Sequence, residues 1–173
     1  MAAINGGLVN GSRSDLGELR LVERQAVSAV ASVTFSGLDG DADNVYKVLF
    51  RVTGSAAQTF NLDPNALTTN QSTQRSQMLN SAISGVEDTR QTIVATPAGD
   101  VVHGEITYWA DAARDRVGGN FAGSADDASS QTENEWSVLH WREATTNITS
   151  LVLSASTGTF TGTVALFKMV NAD

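Results

Sequence analysis

Cysteine is absent from this 173-residue chain, so a disulfide framework and a thiolate-held metal are both excluded. Histidine occurs twice, at His103 and His140, without the H-x-x-x-H spacing that aims two imidazoles at one metal, and both are read as structural. Nowhere do about 18 apolar residues run together, and the opening MAAINGGLVNGSRSD lacks the apolar centre of an export leader. The expectation is a soluble protein with no membrane partner. Charged residues make up 17%, below the roughly 25% usual for soluble domains. The net charge is −8, and Arg20, Arg24, Lys47, Arg51, Arg114 and Arg116 are scattered among acids. Such a field opposes a phosphate backbone, so nucleic acid is not an expected partner. No G-x-S-x-G elbow, G-x-x-x-x-G-K loop or H-E-x-x-H helix occurs. A carboxylate pair can be drawn almost anywhere among 19 acids and so singles out none. The chain is read as a non-enzyme without a cofactor.

What is abundant is hydroxyl: Ser and Thr number 35, as on the exposed faces of all-β proteins. The apolar pattern agrees. In Ile148–Ala155, Leu151, Leu153 and Ala155 share one face, and in Phe160–Phe167, Phe160, Val164 and Leu166 do, a period of two. With the turn Ser156–Thr159 between them, they predict a closing hairpin at a sheet edge. Leu19 and Leu21 begin the pattern near Glu18, and Val27, Ala29, Ala31, Val33 and Phe35 extend it along one longer strand. The turn-rich Ser36–Asn44 precedes Val45–Thr53, with Tyr46, Val48, Phe50 and Val52 on one face and Lys47 and Arg51 on the other. Phe60 and Leu62 mark a short strand ended by Pro64, which cannot donate to a ladder. Thr92–Thr96 and Val101–Trp109 read as strands, and Trp136–Trp141 starts another. Asn65–Asp88 reads as a polar loop with one helical turn, and Asp111–Glu135 as a long loop of the functional kind. The tally is eight to ten strands in one domain, residues 18–173, folded as an antiparallel β-sandwich of jelly-roll type.

Residues 1–17 are Gly-, Asn- and Ser-rich and cannot hold a packed element alone, so they predict an extended arm. Its spaced aliphatics Ile4, Leu8, Val9 and Leu16 are the candidate partner-binding residues; a plain tail is the competing reading. Asp39, Asp41 and Asp43 alternate like the first ligands of a calcium loop. Asn44 stands where that loop needs glycine and Phe50 where it needs glutamate, so the favoured reading is a solvated acidic turn with capping side chains. Trp109, Trp136 and Trp141 fit core or interface anchors better than a sugar-stacking platform.

Three stretches carry a resemblance. Ser32–Phe50 (SVTFSGLDGDADNVYKVLF), Gly104–Trp109 (GEITYW) and Asn147–Phe167, with its N-I-T-S-L-x-L-x-A start, occur in the order found in a recurrent domain of tailed-bacteriophage virion proteins. Together they span roughly residues 20–168, leaving out the arm. The resemblance implies a jelly-roll domain on the virion. One branch is a capsid decoration (cement) protein on the outer shell, a homotrimer whose partner is the major capsid protein. The other is a tail-tip or fibre module that recognises host glycan.

Overall fold

The computed structural model describes residues 18–79, 82–110, 116–126, 131–143 and 145–170. It is an all-β sandwich. Twelve strands are present among the described residues: β1 (Glu18–Val30), β2 (Ser32–Ser36), β3 (Val45–Gly54), β4 (Gln58–Pro64), β5 (Gln71–Leu79), β6 (Ala82–Asp88), β7 (Thr92–Thr96), β8 (Val101–Trp109), β9 (Arg116–Asp126), β10 (Gln131–Trp141), β11 (Ser150–Ala155) and β12 (Phe160–Val170). The one helix, α1 (Gly40–Asp43), is a single turn. No described helix is long and apolar enough to cross a membrane.

The larger sheet has the order β1-β12-β3-β8-β9-β10-β5-β6 and the smaller β2-β11-β4-β7. Every pairing is antiparallel. Without β5, β6, β9 and β10, two four-stranded sheets remain, β1-β12-β3-β8 and β2-β11-β4-β7, and the chain crosses between them in jelly-roll order. The four extra strands widen only the larger sheet.

Alternation explains the core. Tyr46, Val48, Phe50 and Val52 on β3 and Val102, Ile106 and Tyr108 on β8 point inward, where they meet Val33, Phe35, Phe60, Leu62, Leu151 and Leu153 of the smaller sheet. Phe60 anchors the layer, its ring 5.4 Å from Phe160 edge-on and 6.3 Å from Phe50.

Four sequence expectations are corrected. Ile148–Ala155 and Phe160–Phe167 supply β11 and β12 but form no hairpin and lie at no edge. β11 sits between β2 and β4, and β12 between β1 and β3, so Ser156–Thr159 is a corner between sheets. The single strand reaching Phe35 is two strands: at Ala29 the backbone turns to φ +52°, and the chain leaves β1 for β2 in the opposite sheet. Asn65–Asp88 is largely the hairpin β5–β6, with no helical turn among its described residues. The described part of Asp111–Glu135 is mostly strand, belonging to β9 and the start of β10.

Candidate functional site

The residues with recognisable chemistry do not converge. Asp39 caps α1, accepting from the Ala42 N–H at 3.3 Å and from Asn147 Nδ2 at 3.0 Å. Asp41 points toward Arg116, whose Nη2 is 3.6 Å away. Asp43 takes Lys168 Nζ at 2.7 Å and the Tyr46 hydroxyl at 2.8 Å. Each carboxylate thus serves a different partner, and no cluster of three or more metal-ligating side chains occurs among the described residues. Asp43 is not solvated as expected but seven-eighths buried, its side chain 13% exposed. Burial, reinforced by the Asp43 hydrogen bond, pushes the Tyr46 phenol far above its ordinary value, so it stays a neutral donor. His103 is exposed on β8 and His140 half-buried on β10, with β9 between them.

A polar layer fills the interior between β5, β9, β10 and the strands β4 and β7. Glu135 is fully buried and accepts from Arg75 Nη1 at 2.8 Å and from the Ala95 N–H at 3.1 Å, while Asp88 takes Arg75 Nε at 2.7 Å. Burial pulls the Arg75 guanidinium down, but the hydrogen bond and charge of Glu135, joined by Asp88, outweigh it and leave the group raised. Ser137 bonds Asn120, whose Nδ2 donates to the Ile93 carbonyl at 2.9 Å. Asp63 accepts from Arg90 at 2.5 Å and Ser154 at 3.1 Å, yet its Oδ1 has no partner. Burial therefore raises the Asp63 carboxyl, the Arg90 charge and hydrogen bond only partly opposing it. A buried carboxylate bound to a buried guanidinium is a structural arrangement; it offers no open position for a substrate.

The outward face of the larger sheet is different. Reading the registers across gives continuous rows. One row runs Leu21, Phe167, Lys47, Thr107, Gly119, Val138, Gln74, Glu87. The next runs Arg24, Ala165, Leu49, Glu105, Phe121, Trp136, Ser76, Gly85. Nine of the twelve exposed large apolar side chains among the described residues project from this face: Leu19, Leu21, Leu49, Ile83, Trp109, Val117, Phe121, Trp136 and Val138. Scattered singly they would need no explanation; here they are collected on one face of one sheet.

That face divides in two. Trp109, Val117, Phe121, Trp136 and Val138 form an aromatic strip over β8, β9 and β10, with Phe121 and Trp136 rings 5.6 Å apart. Leu19, Leu21, Leu49, Ala165 and Phe167 form an aliphatic strip over β1, β12 and β3. Lys47 and Glu105, paired at 3.0 Å, stand on the strands where the strips meet. Of the three tryptophans, Trp109 and Trp136 are half exposed on this face, whereas Trp141 is buried with the Arg116 guanidinium 5.2 Å from its ring centre. A depression of about 540 Å³ near Gln58, Thr96 and Ser156 has no ionisable side chain in its lining.

The arm residues Ile4, Leu8, Val9 and Leu16 lie outside the described residues. Sequence reading named Trp109 and Trp136 but missed Val117, Phe121 and Val138. The signal was present in β10, where Trp136, Val138, Leu139 and Trp141 make both faces apolar, a pattern that a half-solvated strand does not need. No family model matches the chain, and no curated protein matches it.

Proposed function

We propose that the chain is a bacteriophage virion structural protein: a decoration (cement) protein of the outer capsid that bridges neighbouring capsomers as a homotrimer. The observation that supports it best is the aromatic strip on β8, β9 and β10, an exposed apolar surface that spreads from the jelly-roll frame onto the added strands β9 and β10. Exposed Trp and Phe packed side by side are the side chains that anchor protein interfaces. The residue types that resemble phage virion domains supply the partner, the major capsid protein. Packaged genome pushes capsomers apart, and a clamp touching several of them resists by multivalency, each added contact raising avidity without new affinity. The acidic net charge, −8, suits an exterior position away from the genome. Aliphatic residues of the arm (Ile4, Leu8, Val9 and Leu16) add a second attachment in this reading.

The test is co-sedimentation with undecorated capsids. Trp136→Ser weakens binding by about 30-fold, the ~2 kcal/mol of an interface anchor, and removal of residues 1–17 weakens it with the sandwich still folded. Unchanged affinity in both variants overturns the reading.

One observation favours a second reading, a tail-tip or fibre module for host glycan: Trp109 and Trp136 are half exposed on the same face. The Phe121 ring is tilted 52° to Trp136, which breaks up a coplanar platform. Glycan-array binding lost on Trp109→Ala, with capsid affinity absent, selects it.

A further inference from the structure

On the aliphatic strip the sheet surface dips into a trough of about 520 Å³ that follows β12. Its cause is residue size. The middle strand carries only Thr163 and Ala165 outward, with Gly162 beside Thr163 adding no side chain, whereas β1 on one side carries Leu21 and Arg24 and β3 on the other carries Leu49 and Arg51. Phe167 closes one end. Gly162 is fixed by its backbone: at φ +151° an added Cβ would run into the Arg51 carbonyl and stand 2.8 Å from Val52 Cα.

Arg24 is in the trough because of a bulge. The β1–β12 register slips between Leu21 and Glu23, so Val22 is an extra residue and the alternation inverts after it. A regular strand would send Leu19, Leu21 and Glu23 outward; the bulge turns Glu23 to the other face, opposite Leu166, and brings Arg24 out opposite Ala165. Arg51 stands diagonally across, opposite Thr163, its Cα roughly 12 Å from that of Arg24 by strand spacing and rise. Most basic side chains of the described chain are neutralised: Lys47, Arg75, Arg90, Arg116 and Lys168 all have carboxylate partners. Arg24 and Arg51 have none among the described residues. The titratable side chains facing them are His103, beside Arg51, and Glu105, which is held by Lys47.

We propose that this trough docks an extended segment of a partner protein in which two carboxylates flank aliphatic residues. The floor from Gly162 to Phe167 takes about five residues of extended chain at 3.4 Å each. Aliphatic side chains fill the space over Ala165, and the carboxylates, three or four residues apart, meet Arg24 and Arg51 in charge-assisted, forked hydrogen bonds. Two unpaired guanidiniums beside an apolar floor, on a chain of net charge −8, select an acidic segment over a basic one. The site is separate from the aromatic strip and does not depend on the shell being the partner.

The test is a titration of the isotope-labelled full chain with the peptide acetyl-Asp-Leu-Val-Leu-Glu-amide, followed by amide shifts. Saturation with a dissociation constant of about 1 mM or tighter, with shifts confined to β1, β12 and β3, is expected. The doubly substituted Arg24→Glu/Arg51→Glu weakens it at least about tenfold, and Arg24→Gln/Arg51→Gln, which keeps length without charge, weakens it less. A basic peptide, Lys-Leu-Val-Leu-Lys, and an acidic one without aliphatics, Asp-Ser-Gly-Ser-Glu, should not saturate. Equal response to the basic peptide, shifts centred elsewhere, or none at all overturns the proposal. If the unsubstituted chain binds capsids but not the peptide, the trough alone is refuted; if it binds the peptide but not capsids, the shell reading alone is refuted.

Discussion

Removing Glu135 is the sharpest perturbation available inside the sandwich. Its carboxylate is fully buried and binds both Arg75, whose side chain is 8% exposed, and the Ala95 N–H. Glu135→Ala takes away the larger part of the guanidinium's compensation and orphans the amide. Breaking a buried pair from one side costs about 3–5 kcal/mol; because Asp88 still holds Arg75 Nε at 2.7 Å, the lower half of that range is expected. Glu135→Gln keeps an acceptor for Ala95 and costs less, about 1–2 kcal/mol. Arg75→Met leaves the carboxylate buried without its cation and is expected to cost about 3–5 kcal/mol. Arg75→Met combined with Glu135→Leu removes both charges and lies within about 1 kcal/mol of the parent. Urea unfolding followed by tryptophan fluorescence measures all four at constant m-value. If the double variant loses the sum of the single losses, or if Glu135→Ala costs no more than a surface change, the reasoning about uncompensated charge fails.

Gly104 faces the Phe50 ring across the β3–β8 pair, where an added Cβ would stand 2.6 Å from Cε1 and closer still to Cζ. Gly104→Ala is expected to cost about 1–3 kcal/mol by overpacking, and Phe50→Leu in the same chain to recover part of it; equal loss with and without Phe50→Leu contradicts the steric account. Asp63 holds its proton more tightly folded than unfolded, because burial raises its carboxyl. Wild-type stability relative to Asp63→Asn should therefore be highest at low pH and fall as pH rises from the ordinary aspartate range through the raised value. A thermal-unfolding series across that range checks the sign, and a rise instead of a fall refutes it. Asp43→Asn removes the charge that holds Lys168 at 2.7 Å and weakens the acceptor for Tyr46; about 1–2 kcal/mol is expected, with Lys168→Met on that background adding little. Additive losses would contradict the pairing.

The sandwich was legible wherever one face is buried and the other wet. Val45–Thr53 and Val101–Trp109 alternate, while Thr92–Thr96, buried on both faces, shows itself by its β-branched residues, and each is a strand with nearly the expected bounds. β5 escaped because its buried face is polar, with Gln71, Thr73 and Arg75 in place of apolar side chains. β6 escaped because alternation needs something to pack against: Ile83 to Glu87 are exposed on both faces of an edge strand, so no period of two is imposed. β9 escaped because Gly118, Gly119 and Gly123 replace the apolar signal. At Gly118 a Cβ would come within 2.7 Å of the Tyr108 ring, so close packing itself demanded the residue that reads as loop. The passage of Ser156–Thr159 from one sheet to the other leaves no local trace, since a hairpin and a corner use the same turn residues. The buried pair Arg75–Glu135 is 60 residues apart in sequence and had no pattern to betray it. Exposed tryptophans were nameable in advance, but the face they share is a property of eight strands in register.

The claim that this chain works through its surface as part of a capsid shell is tested most directly by counting it. Quantitative mass spectrometry of purified particles, scaled to the major shell protein, should find hundreds of copies per particle. A handful of copies, or none, would contradict it.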